Sequence, residues 1–507
     1  MLVESVPSDG YPAAPAGFLD AETVWDVLLS RRLGLAGHDV DLASLLRWSI
    51  EPGAIERFRD ADPVFRQAAV EWLTQRAGPA TAIVLGGLPS WRKLDALALG
   101  LAASVVHHPA AIGRLEKAAG KIEGRYFSGQ TPAVEVMQRW AFAAVEVVRR
   151  IRHTDQRLYR EALHRGDDLL REAGADEFAY LSDTSPSGFD QRLALFGRRL
   201  KEVVAQGDWS RREDLLAERE SIRRHDFAHA AAPRIERLDM ALRLVGWMES
   251  ASEAEPTNRR SLGAAGAEHL HEDSFADWAR TALHAGDEVR ELSESYTQLS
   301  AAAAARRERQ AKTFAELLVD WSVVDSSPTD FVPVEKLLDE IVAPLAAERP
   351  VLLMVIDGMS AAVAHELTAD LTKRGWIALA EPGRLQNRPG IAMIPSKTEY
   401  SRASLLCGAR RRGAAAEEQA GFTQHAGLLA ACHPGVPPIL FHKVALQGDQ
   451  DAGLSKEVRD AVQAANRRIV GVVLNAVDDN LKGGRLELQW SHDRMHVLPA
   501  LLYEAES

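Results

Sequence analysis

Three segments of the chain carry residues whose types and order could do chemistry. Asp357 closes the apolar run Pro350-Val-Leu-Leu-Met-Val-Ile356 and is followed by Gly358. Ser396-Lys397-Thr398 follows the apolar stretch Gly390-Ile-Ala-Met-Ile-Pro395, and Asp478-Asp479 follows a third apolar run that ends at Val477. Carboxylates converging on a hydroxyl suit phosphoryl transfer assisted by a divalent metal. Hard oxygen ligands hold the cation, which lowers the hydroxyl's pKa and neutralises charge on the phosphoryl group. In that reading Asp357, Asp478 and Asp479 are the candidate metal ligands and Thr398 is the nucleophile. Thr398 also opens a predicted helix, Glu399 to Cys407, whose free amides and dipole attract phosphate oxygens. Arg402, one turn on, is the candidate phosphate clamp, with Lys397 a weaker second.

These residues need a frame to bring them together, and the hydrophobic pattern supplies one. Seven residues bounded by Pro and Gly read as a buried parallel strand ahead of Asp357. A helix follows from Ala361 to Lys373, then an extended stretch from Trp376 through Gly390–Pro395. Further strands are predicted at Ile439–Leu446 and Ile469–Val477, separated by a helix from Ser455 to Arg468. Strands alternating with helices imply an α/β domain with a mainly parallel sheet. Ligands of such sheets bind beyond the carboxyl ends of the strands, where all three segments fall. Each segment also has an ordinary structural role. Asp357-Gly358 can be a turn, Thr398 an N-cap, and Asp478-Asp479-Asn480 before Gly483-Gly484 an exposed turn. Arg410-Arg411-Arg412 reads as a solvated loop, with a nucleic-acid contact as the minority reading.

Ahead of the alternating part the period changes to 3.6. Leu193, Phe196, Leu200 and Val203 share a helix face, as do Ile235, Leu238, Leu242 and Val245, and again Val289, Leu292, Tyr296 and Leu299. No fixed-period repeat is present. The predicted layout is a flexible N-terminus over 1–20, a helical region over 21–325 with a seam or mobile linker near 251–266, a linker and short helix over 326–349, and the α/β domain over 350–507. His225 and His229 stand four apart, a spacing that could grip a metal on a helix face, but no nearby carboxylate or cysteine completes a ligand set. Trp25, Trp48, Trp72, Trp140 and Trp247 read as core anchors.

The chain has 507 residues, enough for about three domains of ~150 residues each. Its net charge is −12. From Val351 onward there are 17 basic and 17 acidic side chains, against 43 and 55 before it, so the acidity lies wholly in the helical part. That sign argues against a chain given over to phosphate-backbone contacts, although not against one basic groove. Two cysteines, Cys407 and Cys432, exclude a disulfide framework and a four-cysteine zinc site. The first ten residues lack the basic flank and apolar stretch of a signal peptide, and no apolar run reaches the ~18–20 residues of a membrane span. The expectation is a cytoplasmic protein without a membrane partner.

Val355-Ile-Asp-Gly-Met-Ser360, Pro395-Ser-Lys-Thr-Glu-Tyr-Ser-Arg-Ala-Ser-Leu-Leu-Cys-Gly408 and Asn475-Ala-Val-Asp-Asp-Asn-Leu481 together resemble the PglZ domain, a branch of the alkaline phosphatase superfamily. PglZ proteins belong to the phage growth limitation and BREX defence systems of bacteria. The resemblance implies a two-metal site in which a Thr or Ser attacks phosphorus. Asp357 matches the first metal-ligand Asp, Thr398 the nucleophile, and Asp478 the Asp after a later strand. A His commonly placed four residues beyond that Asp is here Lys482, with Asp479 as the substitute ligand. The metals implied are divalent, Zn2+ foremost, with Mg2+ or Mn2+ as alternatives. The superfamily completes its site with a further strand and an Asp-His pair. Here Ser507 comes first, and His492 and His496 precede the last predicted helix, so the site of this chain is expected to be incomplete. The fold class expected is thus α followed by α/β: a mostly helical N-terminal region, then an incomplete alkaline-phosphatase-like α/β domain with a mainly parallel sheet. The function implied is a metal-dependent phosphatase or phosphodiesterase component of a phage-defence system. Its partners would be other defence proteins, such as a methyltransferase or an ATPase, and its substrate a phosphate ester. A non-catalytic scaffold that docks such proteins, or a metal-dependent nuclease acting on DNA, are the alternatives.

Overall fold

The computed structural model describes residues 10–11, 19–36, 40–253, 261–322, 329–447, 453–475, 477, 490–495 and 497–506. The chain divides into two compact units. One comprises Met1–Leu200, Glu213–Ile235 and Val289–Leu292; the other Lys201–Arg212, Glu236–Glu288 and Ser293–Ser507.

The first unit is helical. Its core gathers side chains from Val24 to Ala179 around the helix Asp95–Val106, which is buried on nearly every side, as an apolar helix without a polar face must be. The helices Val134–Thr154 and Gln156–Ala173 pack on it. Gly100 permits the approach: a Cβ there would lie 2.5 Å from the Ala144 Cβ. Trp140 is fully enclosed, and its indole N–H donates to the Ala96 carbonyl at 2.9 Å. Trp25 and Trp48 are likewise core side chains, and Trp72 stacks on Trp25. Asp95 is buried against the Arg165 Nε at 2.8 Å, while Arg165 also reaches Glu172 and the Tyr126 hydroxyl. His225 and His229 do not share a helix face, because the chain turns between the helices Arg212–Arg223 and Ala232–Glu253. His225 is buried between the rings of Phe189 and Phe227, and burial lowers its pKa to about 4.

The second unit contains a three-layer α/β element. Its strands are β1 (Val332–Pro333), β2 (Val351–Ile356), β3 (Gly390–Ile391), β4 (Ile439–Phe441) and β5 (Ile469–Leu474). The main sheet has the order β2-β5-β4 and is parallel throughout, with Val351 beside Ile469 and Ile439 beside Val470. β5 is buried along its whole length, as expected of a central parallel strand. Val470, Val472 and Leu474 face a cluster with Leu367, Val458, Leu498 and Leu501. Ile469 and Val473 face the other way, onto Leu338, Leu406, Phe422 and Leu428. Gly471 has no side chain because a Cβ there would lie 2.8 Å from Leu440 and 3.0 Å from Phe422. The helix Ala415–Thr423 therefore presses directly onto the sheet through Phe422.

Several elements differ from the sequence reading. The stretch before Thr398 contributes only β3, which pairs in parallel with β1 in a separate two-stranded sheet. Pro333 and the flanking Pro389 and Pro395 lack the N–H that a longer ladder would need. Thr398 thus follows a strand, but not one of the main sheet. The predicted strand Ile439–Leu446 ends at Phe441 and turns into the short helix Lys443–Leu446, and the strand from Ile469 ends at Leu474. The short helix predicted within 326–349 is a 3-10 turn over Val334–Lys336, a π turn over Leu338–Val342 and an α-helix Ala343–Glu348. Pro344 has no N–H for the Glu340 carbonyl, which breaks the α ladder there. The helices Ala361–Lys373 and Leu498–Glu506 fall where the pattern put them. No described helix is long and apolar enough to cross a membrane.

Candidate active site

Asp357 is the first residue past β2, and its own N–H still bonds the Leu474 carbonyl at 2.8 Å, so its backbone is locked to the end of β5. Gly358 then takes a left-handed φ of 75°, and Ser360 caps the helix Ala361–Lys373 by accepting from the Val363 N–H. The Asp357 carboxylate is thereby fixed at the carboxyl edge of the sheet.

A second element delivers Thr398 and Arg402. Lys397, in extended conformation, is the N-cap of the helix Thr398–Cys407, and its carbonyl accepts from the N–H groups of Tyr400 and Ser401. Thr398 is therefore the first helical residue and not the cap. The N–H groups of Thr398 and Glu399 donate to no described residue, which leaves the positive helix start open. Ala403, Leu406 and Cys407 seat the helix, and Gly408 closes it with a φ of 63°. Thr398 and Arg402 lie one turn apart, on a common face.

These elements, with the helix Ala415–Thr423 and the end of β4, bring five side chains to one line. The Thr398 hydroxyl donates to Asp357 Oδ2 at 3.5 Å, the long end of the range. Arg402 Nη1 donates to the same Oδ2 at 2.6 Å, and Arg402 Nε donates to Glu418 Oε1 at 3.0 Å. Glu418, fully buried one turn before Phe422, accepts from His442 Nε2 at 2.7 Å. A carboxylate only accepts, so Nε2 carries the proton. Burial alone would push the Glu418 carboxyl up, but the hydrogen bonds from His442 and Arg402 outweigh it and hold Glu418 below the usual carboxylate range. The line Thr398–Asp357–Arg402–Glu418–His442 runs from the end of β2 to the end of β4. Leu474 and Asn475 leave the intervening strand between them.

The structure thus unites Asp357, Thr398 and Arg402. Arg402 is gripped by two carboxylates where an open phosphate clamp was expected, although its Nη2 has no partner among the described residues. Lys397 contributes its backbone to the helix start and has an exposed side chain. Asp478, Asp479 and Lys482 lie outside the described residues, as does His496. His492 is committed elsewhere: its Nδ1 is 2.7 Å from Asp370 on the helix Ala361–Lys373. Arg410 pairs with Glu335 and Arg412 with Glu399. Among the described residues, no group of three or more His, Cys, Asp or Glu side chains is gathered to hold a metal.

Sequence reasoning missed Glu418 and His442. His442 carried a signal, since it directly follows the apolar Ile439-Leu-Phe441 as Asp357 follows its own run, but extending that strand to Leu446 concealed it. Glu418, the second of two glutamates in a short helix, carried none.

By fold and site, the chain is a helical protein with a small parallel α/β element bearing a charged, hydroxyl-containing line at its carboxyl edge. Residues 41–184, within the helical unit, match the family model of the BREX system PglZ second domain. That match supports a PglZ-domain protein of BREX systems, and so a phage-defence component. No match was found among curated proteins or among solved structures.

Proposed function

We propose that the carboxyl edge of the β2-β5-β4 sheet is the centre of a PglZ-type phosphoric-ester hydrolase, with Thr398 as nucleophile, serving BREX phage defence. The observation that carries this reading is the Thr398 hydroxyl, held against Asp357 at the open start of a ten-residue helix with Arg402 one turn behind. Thr398 Oγ1 would form the new bond to phosphorus as the ester oxygen leaves with the alcohol. Water would then release phosphate and restore the hydroxyl. The amides of Thr398 and Glu399 and the Arg402 guanidinium would hold the phosphoryl oxygens, with Lys397 a weaker contributor.

A divalent cation on the Asp357 side is part of this proposal: Asp357 Oδ2 already takes Arg402 Nη1 at 2.6 Å, so the cation would bind through Oδ1 or displace that contact. Asp357 would hold the metal with Asp478, and with Asp479 in place of the ligand that Lys482 cannot supply. Zn2+ is favoured over Mg2+ or Mn2+. When bound, the metal supplies a lower hydroxyl pKa and neutralises charge on the phosphoryl group. The alkaline-phosphatase-like architecture belongs to this same proposal. The test is hydrolysis of an aryl phosphate and a bis-aryl phosphodiester with each metal in turn. Thr398→Ala abolishes turnover if the reading holds, and full turnover in that variant refutes it.

The engagement of Arg402 by two carboxylates favours one second reading, a scaffold whose helical part docks a methyltransferase or an ATPase of the same system. Thr398→Ala that restricts phage at full strength would support it. A nuclease acting on DNA needs uncommitted cations near Thr398; Lys397 is exposed, but Arg402, Arg410 and Arg412 are each paired with carboxylates.

A further inference from the structure

We propose that Glu418 and His442 are positioning residues that aim the Arg402 guanidinium at the phosphoryl group, an inference that rests on the reading above. Glu418 has no accessible surface, and nothing about its place on the apolar side of the sheet calls for a carboxylate. Phe422 and Leu428 fill the neighbouring positions. A buried charge of this kind is costly unless it is fully paired, and an apolar residue of similar volume would serve packing as well or better. What the carboxylate does is grip one nitrogen of Arg402. Glu418 Oε1 takes Nε, the nitrogen nearest the backbone, while Oε2 is fixed by His442. Held at Nε, the planar guanidinium cannot swing into solvent, and its two terminal nitrogens are directed toward the sheet edge. Nη1 lies on Asp357, and Nη2 has no partner among the described residues. When Asp357 takes a cation or Thr398 takes a phosphoryl group, the tether keeps both nitrogens at the site. An untethered arginine would first have to be ordered.

His442 completes the device. It stands at the first position past β4, so its imidazole is set by the sheet and not by a mobile loop. Its Nε2 proton fixes the rotamer of Glu418, which in turn fixes Arg402.

The experiment is a double-mutant cycle read by the affinity of the full chain for inorganic phosphate, with the fold of every variant checked by far-UV circular dichroism. Glu418→Ala weakens phosphate binding by about tenfold while Arg402 is present and has no further effect in an Arg402→Ala background. Glu418→Gln, which keeps an oxygen for Nε, restores most of the affinity, and His442→Ala shows a smaller loss that also vanishes without Arg402. Equal losses from Glu418→Ala in both backgrounds, or no loss in either, overturn the inference while leaving the assignment of Thr398 intact. A wild-type chain that binds no phosphate and hydrolyses no ester overturns both.

Discussion

Removing Arg402 should loosen the carboxyl edge of the sheet by a predictable amount. Arg402→Ala leaves Glu418, which is fully buried, with the His442 Nε2–H as its remaining side-chain partner, and strips Asp357 of its closest contact. Breaking a buried ion pair from one side costs about 3–5 kcal/mol, because the orphaned charge stays desolvated. Arg402 and Asp357 keep 13% and 17% of their side-chain surface in water, and His442 still serves Glu418, so the low end, about 3 kcal/mol, is expected. With 1.4 kcal/mol to each tenfold, the local opening constant rises by about 100-fold. Native-state hydrogen exchange read by mass spectrometry on peptides covering 398–423 and 439–447 measures this directly, and peptides of the helical unit serve as the internal reference. Arg402→Leu combined with Glu418→Leu removes both charges and should restore protection to nearly wild-type levels, since an apolar pair replaces a salt bridge at little cost. Unchanged exchange at 398–423 in Arg402→Ala, or no recovery in the double variant, would refute the claim that these charges hold the edge together.

Acid should act at the same place. The Glu418 pKa is depressed in the folded state, so its contribution is present above the usual carboxylate range and is lost as pH falls through the folded value. Protection at 415–423, taken against the intrinsic exchange rate at each pH, should therefore fall on acidification before that of the sheet interior. Glu366 has the opposite sign: burial raises its pKa despite the Trp490 N–H it accepts, so it costs stability at neutral pH, and Glu366→Gln should raise the urea midpoint at pH 7. Gly471→Ala places a Cβ 2.8 Å from Leu440 and should cost about 1–3 kcal/mol in urea unfolding while lowering phosphate affinity, because it displaces the helix that carries Glu418. Arg165→Ala, which leaves buried Asp95 in the family-matched segment with only the Arg92 N–H among its described partners, should lower the thermal midpoint by the equivalent of about 3 kcal/mol.

What could be read from the residues alone follows from how local each signal is. Asp357 was legible because a buried parallel strand is a continuous apolar run and its end is marked by Asp-Gly. The helix carrying Thr398 and Arg402 was legible because helical spacing places i and i+4 on one face. The partners of Arg402 were not legible: Glu418 reaches it through a helix whose position depends on Gly471 being small enough to admit Phe422, a contact between residues 49 apart in sequence. The membership of Thr398's strand was misread for a similar reason, since two residues paired with β1 leave no pattern that distinguishes them from the edge of the main sheet. The family match lies in the helical part, where the sequence showed helix faces and no fixed-period repeat. Its central helix, Asp95–Val106, is apolar all round, so burial pattern alone says only that it is a core.

The most direct test of the central claim is the covalent fate of Thr398. The full chain is incubated with a divalent metal and an aryl phosphate, quenched in acid and digested, and the peptides are sequenced by mass spectrometry. The account predicts a phosphate adduct on Thr398 and on no other residue, which disappears in Thr398→Ala together with turnover. Hydrolysis that continues in Thr398→Ala, or turnover of the wild type with the adduct on a different side chain, would contradict it.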